Sequence, residues 1–220
     1  MKKLLIFDLD GTLIDSRRDL ANGVNATRAH LNLPPLDEEL IRSYVGHGAP
    51  VLIRRVLGPS ASEAQVEHAL EYFIAWYSEH KLDYTCLYPG IGEGLELLAD
   101  AKVGMAVLTN KPVRVSRGIL EGLGISGHFF QVYGGNSFDQ KKPHPVGVER
   151  LLAEAGISPE GAAMVGDSSV DVKTARNAGI AAWGVNWGFQ PETFADAPPD
   201  VSFEDMRELT RFALKLKLDT

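Results

Sequence analysis

The chain has 220 residues, of which 45% are apolar and 23% are charged. This balance predicts a globular protein with a substantial core, built as one domain or as one domain carrying an insertion. The 29 acidic residues outnumber the 22 basic ones, and the formal charge of -7 argues against nucleic acid or an anionic membrane as the main partner. An anionic ligand would therefore need a local group of cations.

Cys86 is the only cysteine, which excludes an intramolecular disulfide and a thiolate metal site. The apolar run near the start ends at Asp8, which is too early for the ~7 to 15 residues of a signal-peptide core. No segment approaches the ~20 apolar residues of a membrane span. We therefore expect a cytoplasmic protein without a membrane partner. The six histidines lack the paired spacing of zinc sites, so a metal would be bound by oxygen.

Apolar runs typical of buried parallel strands recur along the chain. They cover residues 3–7, 103–108, 131–133, 162–165 and 180–185. Amphipathic stretches at residues 112–123, 145–155 and 169–178 alternate with the later runs, as right-handed βαβ crossovers require. The alternation predicts an α/β protein with a Rossmann-like, doubly wound parallel sheet.

The first two predicted strands are separated by roughly a hundred residues, where a crossover needs only a dozen or two. The intervening pattern is entirely helical and is broken at residues 32–35, 46–48 and 58–60. We predict a helical cap domain at residues 16–84, inserted into a core domain formed by residues 1–15 and 85–220. Its predicted helices cover residues 19–31, 36–45, 49–57 and 62–79.

Two carboxylates, Asp8 and Asp10, follow the first predicted strand and lie one residue apart. Neighbouring anions repel each other and resist desolvation, so such a pair usually has a cation, a shared proton or a phosphoryl group between them. An Asp-Gly step after an apolar run is also a common turn. This segment alone leaves both interpretations open.

Polar residues follow other predicted strands too, at the edge where open parallel sheets bind ligands. They are Thr109, Asn110 and Lys111 after the second strand, Lys141 and Lys142 ahead of a helix, and Asp167, Ser168 and Asp171 after the fourth strand. Carboxylates, hydroxyl groups and ammonium groups are therefore expected to converge on one crevice.

Four segments in this order resemble the motifs of the haloacid dehalogenase superfamily. They are Asp-Leu-Asp-Gly-Thr-Leu at residues 8–13, Leu-Thr-Asn-Lys-Pro at 108–112, Lys-Lys-Pro-His-Pro at 141–145 and Gly-Asp-Ser-Ser-Val-Asp at 166–171. With its helical insertion, the chain is similar to the phosphoglycolate phosphatase group of that superfamily. The resemblance implies a Mg²⁺-dependent phosphatase that acts on a small phosphorylated metabolite, with 2-phosphoglycolate as the best single candidate.

The resemblance also implies a role for each acidic residue. Asp8 is expected to attack phosphorus and form an aspartyl phosphate, while Asp10 acts as the general acid and base. The Asp8 carboxylate, the Asp10 backbone carbonyl and Asp167 are expected to bind Mg²⁺. Asp171 is expected to orient Lys142 or a metal-bound water; otherwise it is a first-turn carboxylate favoured by the helix dipole.

Phosphate binding is expected from Thr109, the backbone N–H of Asn110 and Lys142. Lys142 is preferred over its neighbour because the lysine of the family motif directly precedes the proline. Lys141 and Lys111 are expected to be solvated.

Candidate substrate-binding residues of the cap share either a cation or a glycine-flanked turn. They are Arg17, Arg18, Gly46, His47, Gly48 and Arg54. An arginine here could pair through two hydrogen bonds with a carboxylate such as that of glycolate. The other interpretation is that the arginines lie on the surface and the glycines mark a helix break.

Other functions remain open on the sequence alone. A sugar phosphomutase of the same fold would let a sugar hydroxyl attack the phosphoenzyme, and a phosphatase could instead act on a sugar phosphate or on pyrophosphate. A binding or regulatory protein on an inactive scaffold is disfavoured because no catalytic position is missing. The expected assembly is a monomer or a homodimer.

Overall fold

A computed structural model describes residues 2–215 of the chain. The strands are β1 (Leu4–Phe7), β2 (Ile14–Asp15), β3 (Cys86–Leu87), β4 (Gly104–Leu108), β5 (Gln131–Tyr133), β6 (Ala162–Gly166), β7 (Ala181–Val185) and β8 (Val201–Phe203). The α-helices are α1 (Arg17–His30), α2 (Glu38–Ser43), α3 (Ala49–Leu57), α4 (Glu63–His80), α5 (Ile91–Asp100), α6 (Val113–Gly122), α7 (Val146–Ala155), α8 (Ser169–Asn177) and α9 (Met206–Leu214). None of the described helices is long and apolar enough to cross a membrane.

The chain divides into two compact units. The helical unit is Asp15–Cys86, and the α/β unit comprises the residues before and after that segment. Within the α/β unit, six of the described strands form a parallel sheet in the order β5-β4-β1-β6-β7-β8. β2 and β3 pair separately. The parallel sheet confirms the predicted α/β class with a Rossmann-like, doubly wound core.

β1 occupies the middle of the sheet because every one of its residues is apolar and can be buried on either face. Leu4 and Ile6 pack in a core cluster with residues of α7 and α8. Leu5 and Phe7 point to the opposite face, since side chains alternate along a strand, and both are also buried. β4 lies on one side of β1 and β6 lies on the other. The later strands are added outward on both sides of β1, so the carboxyl end of β1 lies at the topological switch point of the sheet.

The structure contains a sixth parallel strand and a final helix that the sequence analysis did not predict. β8 pairs with β7 through only three residues, Val201, Ser202 and Phe203. A run this short carries no period-2 signal that distinguishes it from a loop. Phe203 is nevertheless fully buried and packs at a 5.3 Å centroid distance from Phe212 of α9, so tertiary packing defines β8.

In the helical unit, the second helix is shorter than predicted. The side chain of Asp37 accepts a hydrogen bond from the backbone N–H of Glu39, which makes Asp37 the N-cap and starts α2 at Glu38.

Asp19 of α1 connects that helix to the segment at residues 84–85, near the end of the helical unit. Its buried carboxylate accepts hydrogen bonds from the backbone N–H groups of Tyr84 and Thr85 and from the Thr85 hydroxyl.

Candidate active site

Three neighbouring strands deliver polar residues to one edge of the α/β unit. Asp8 directly follows β1, Thr109 follows β4 and Asp167 follows β6. Because β4 and β6 both pair with β1 in parallel, the carboxyl ends of the three strands lie side by side. All three residues are buried, so the site is held by the sheet rather than by an exposed loop tip.

Lys142 forms ion pairs with two of the predicted site carboxylates. Its Nζ atom lies 2.9 Å from Asp8 Oδ1 and 2.6 Å from Asp171 Oδ1. Burial lowers the pKa of the Lys142 amine, but the carboxylates of Asp171 and Asp8 outweigh burial and raise that pKa above its usual value. Lys142 is therefore a fixed positive charge between these two aspartates.

Asp8, Asp167 and Asp171 form a buried carboxylate cluster, with one oxygen from each lying within 4.8 Å of the others. Burial raises the pKa of Asp8 to about 6 in spite of Lys142. Burial, followed by the charges of Asp171 and Asp8, raises the pKa of Asp167 well above its usual value. From the residues that the structure describes, Asp8 Oδ1 accepts no hydrogen bond of good geometry. Three carboxyl groups therefore lie close together with a single ammonium group, that of Lys142, in contact with two of them.

A loop after β7 fixes the Asp167 side chain. Asp167 Oδ2 accepts hydrogen bonds from the backbone N–H groups of Phe189 at 2.6 Å and Gln190 at 3.2 Å. On the other side of the carboxylate, the Thr12 hydroxyl donates to Oδ1 at 3.3 Å. Sequence reasoning missed this loop because backbone N–H groups carry no residue-type signal.

One glycine in that loop is required by the close approach of Asp167. A Cβ atom on Gly188 would lie 2.2 Å from Asp167 Cβ and 2.4 Å from the carbonyl oxygen of Gly11. Real Cβ atoms essentially never come this close to another heavy atom. The glycine after Trp187 was the single sequence signal that could have pointed to this contact.

Asp171 is committed to two neighbours through its two oxygens. Oδ1 contacts the Lys142 ammonium, while Oδ2 accepts hydrogen bonds from the backbone N–H of Ser168 at 3.2 Å and from the Ser168 hydroxyl at 2.7 Å. These contacts also cap the start of α8. The structure thus gives Asp171 a geometry suited to orienting Lys142, and its part in the reaction stays a prediction.

Lys111 is buried, so the prediction that it is solvated was wrong. Its Nζ atom lies 2.9 Å from both carboxylate oxygens of Asp10, and its side chain is only 5% exposed. Asp10 itself is 12% exposed. The two residues are 101 positions apart, so no local pattern could reveal that the lysine has a buried anionic partner.

Thr109 and Asn110 lie in the turn between β4 and α6. The Thr109 hydroxyl accepts a hydrogen bond from the backbone N–H of Lys111 at 3.3 Å. The Asn110 side-chain amide donates to the carbonyl oxygen of Lys142 at 3.1 Å. The structure therefore brings the predicted phosphate-binding residues together in the α/β unit, while phosphate binding itself stays a prediction.

The candidate arginines of the helical unit already have partners within that unit. Arg17 pairs with Asp15 through two contacts, at 2.9 Å from Nε and 2.6 Å from Nη2. The Arg54 guanidinium forms an ion pair with Glu63. The Arg18 guanidinium lies 3.7 Å from the centroid of the Tyr84 ring, within the range of a cation–π contact. Substrate binding by these arginines stays a prediction.

The segment Gly46, His47 and Gly48 forms the turn that precedes α3. Gly46 has φ of 103° and Gly48 has φ of 86°, a region that residues with a Cβ atom rarely adopt. Gly48 is also the N-cap residue of α3. The backbone explains both glycines as helix punctuation, and the predicted approach of this turn to a substrate stays untested.

Known proteins are similar to this chain along nearly its whole length. The family model for haloacid dehalogenase-like hydrolases matches residues 5–185. Phosphoglycolate phosphatase of Chromobacterium violaceum is 40% identical over 211 residues, which cover 94% of this chain and 94% of that protein. Phosphoglycolate phosphatase of Haemophilus influenzae is 38% identical over 215 residues, covering 94% and 96% of the two chains.

A solved structure is similar to the same extent. The crystal structure of a predicted phosphoglycolate phosphatase from Haemophilus somnus superposes with a TM-score of 0.91 at 33% identity, and the match covers 96% of this chain and 98% of that one. Sequence and structural similarity thus agree over both units, which confirms the resemblance that the four motifs indicated. The chain belongs to the haloacid dehalogenase-like hydrolase family.

Proposed function

We propose that this protein is a Mg²⁺-dependent phosphatase that hydrolyses 2-phosphoglycolate through an aspartyl phosphate on Asp8. The carrying observation is the placement of Asp8: one of its oxygens is buried without a well-formed hydrogen bond, while Lys142 lies 2.9 Å away. A carboxylate oxygen in that setting is a nucleophile with a positive charge ready to offset the anion that it attacks. The names of the similar proteins supply the substrate.

The carboxylate cluster fits a hard divalent cation, because all of its donor atoms are oxygens and its three carboxyl groups outnumber the one ammonium group that contacts them. We assign the ion to the carboxylates of Asp8 and Asp167 and to the backbone carbonyl of Asp10. Asp171 is not assigned, since Lys142 and Ser168 occupy its oxygens. When bound, Mg²⁺ offsets the charge of the substrate phosphate and polarises a phosphoryl oxygen.

The residues of the chain divide the reaction into two steps. In the first, an Asp8 oxygen bonds to phosphorus, the ester P–O bond breaks, and the Asp10 carboxyl group gives its proton to the departing oxygen. In the second, Asp10 takes a proton from water as the water oxygen bonds to phosphorus and the Asp8–phosphorus bond breaks. Thr109 and the N–H of Asn110 bind phosphate oxygens, and Lys142 neutralises the charge that develops.

The helical unit is proposed as the cap that selects the leaving group, as the resemblance implies. Closing such a unit over a phosphoryl group would exclude water and supply contacts to the rest of the substrate. The cytoplasmic location and the monomeric or homodimeric state expected from the sequence stay predictions.

A comparison of phosphorylated metabolites tests the substrate assignment. With Mg²⁺ present, kcat/KM for 2-phosphoglycolate is expected to exceed that for hexose phosphates and pyrophosphate by about tenfold or more, the scale of discrimination that a few pocket contacts provide. Hexose phosphate is assayed with and without a hexose bisphosphate activator. Higher efficiency with another monoester would refute the substrate, and bisphosphate-dependent isomerisation would favour a phosphomutase.

Replacement of Gly188 by alanine tests the metal assignment through protein stability. In the wild type, Mg²⁺ at about 100 times its Kd is expected to stabilise the fold by ~2.7 kcal/mol. Gly188→Ala should lose most of this gain, because the new Cβ atom would displace Asp167. The measurement is the difference in Tm with and without Mg²⁺.

Gly92→Ala is the matched control for this experiment. Apart from its two chain neighbours and the backbone of α5 itself, no heavy atom of the described residues lies within 4 Å of a Cβ atom built at Gly92. This variant should keep the full Mg²⁺-dependent shift in Tm, and an unchanged shift in Gly188→Ala as well would contradict the role of Asp167.

A further inference from the structure

The two aspartates of the first motif are paired with two different lysines. Lys142 contacts Asp8, whereas Lys111 lies 2.9 Å from both oxygens of Asp10. An ammonium group that is almost entirely buried requires an anionic partner, because its desolvation is otherwise unfavourable. The Lys111–Asp10 pair is therefore a buried structural element of the site and not an incidental surface ion pair.

The backbone of Lys111 is held from both sides, which fixes the point from which its side chain extends. Its N–H group donates a hydrogen bond to the Thr109 hydroxyl at 3.3 Å. Its carbonyl oxygen accepts one from the N–H group of Gly135 at 2.9 Å. The loops after β4 and β5 thus place the Lys111 ammonium, and contact with both carboxylate oxygens limits rotation of the Asp10 carboxylate plane.

We propose that Lys111 is a positioning residue for Asp10. The inference rests on the proposed function, in which Asp10 transfers the protons of both steps. Proton transfer needs the two heavy atoms within about 2.6 to 3.2 Å, and a misplacement of ~1 Å can lower a rate by about 10²-fold. Lys111 keeps the Asp10 carboxyl group in one orientation, so that the oxygen of the leaving group meets it at this distance.

The dependence on the leaving group tests this role. An alkyl phosphate such as 2-phosphoglycolate needs a proton from Asp10 as its oxygen departs, whereas p-nitrophenyl phosphate releases a stable phenolate and needs little help. For Lys111→Met we expect kcat/KM to fall by about 10- to 100-fold with the alkyl phosphate and by less than about threefold with the aryl phosphate. The value of kcat/KM reflects only the steps up to departure of the leaving group. The later hydrolysis of the phosphoenzyme therefore does not affect the comparison.

A double-mutant cycle with Asp10→Asn separates positioning from direct substrate binding. If Lys111 acts through Asp10, Lys111→Met should add no further loss in the Asp10→Asn background. Equal losses in both backgrounds, or equal losses with the two substrates, would show that Lys111 contacts the substrate itself and would overturn the proposal. Lys173→Met, which removes an exposed lysine from α8, is the matched control and should match the wild type.

Lys111→Arg guards against a variant that loses activity because it misfolds. Arginine keeps the positive charge and can donate to both carboxylate oxygens, so it should recover most of the alkyl phosphatase activity lost in Lys111→Met. A loss as large as that of Lys111→Met, with an unchanged Tm, would contradict positioning by the cation.

Retained turnover in Asp8→Asn would refute the proposed function itself. An inactive Asp8→Asn together with a fully active Lys111→Met would refute only the positioning role of Lys111.

Discussion

Asp8→Asn is expected to reduce phosphatase turnover by more than about 10⁴-fold, because an amide oxygen does not replace a carboxylate as the nucleophile. The substitution preserves the size of the side chain and removes one of the three charges of the buried carboxylate cluster. The variant should therefore stay folded. Turnover of p-nitrophenyl phosphate and of 2-phosphoglycolate measures the loss, and chemical trapping should detect a phosphoenzyme in the wild type alone.

Asp100→Asn serves as the control for this substitution. Asp100 is exposed at the end of α5, so the same chemical change there should leave both activity and Tm at the wild-type values. If Asp8→Asn retained a tenth or more of the wild-type rate with a native Tm, Asp8 would not be the nucleophile.

Lys142→Met is expected to impair both catalysis and stability. Removing the ammonium leaves Asp8, Asp167 and Asp171 buried together without the cation that contacts two of them. Loss of one partner from a buried ion pair typically costs about 3 to 5 kcal/mol of folding free energy. Loss of a preorganised charge at the reacting group should lower kcat by about 10²- to 10³-fold. Denaturant unfolding and steady-state kinetics measure the two effects.

A second substitution identifies the source of the lost stability. Adding Asp171→Asn to Lys142→Met removes one of the uncompensated charges, so the double variant should be more stable than Lys142→Met alone. Its activity should not recover, because the cation beside Asp8 is still absent. Wild-type stability in Lys142→Met, or no gain in the double variant, would show that the carboxylates do not repel one another as the geometry indicates.

The sequence was sufficient for the class of fold and for the positions of the chemical groups at the strand ends. Continuous apolar runs at residues 4–7 and 162–165 are stable only when both faces of the strand are buried, which is the environment of a parallel sheet. Parallel strands end at one edge, so Asp8 and Asp167 had to approach each other once those strands paired next to one another. These are consequences of local periodicity and of strand direction.

Elements without a local signal escaped the sequence analysis. β8 has three residues, too few for a period, and is defined by its pairing with β7 and by the packing of Phe203. The loop that holds Asp167 acts through the backbone N–H groups of Phe189 and Gln190, which any non-proline residue could supply. The substrate-selecting residues of the helical unit could not be predicted either. The sequence does not show whether an arginine such as Arg54 forms an ion pair with a nearby carboxylate, as it does here with Glu63.

The partners of the two lysines, Lys111 and Lys142, depend on tertiary structure and cannot be predicted from local sequence. Residue order alone established that lysines follow two segments near the catalytic edge, and a motif comparison singled out Lys142. Which aspartate each lysine meets depends on contacts between segments far apart in the chain, 101 residues in the case of Lys111 and Asp10. Burial of an ammonium group is tolerated only where a carboxylate lies close enough to compensate for its desolvation. Strand pairing determines where that carboxylate lies. The sheet therefore assigned Lys142 to Asp8 and Lys111 to Asp10, and so turned a lysine that had looked solvated into part of the site.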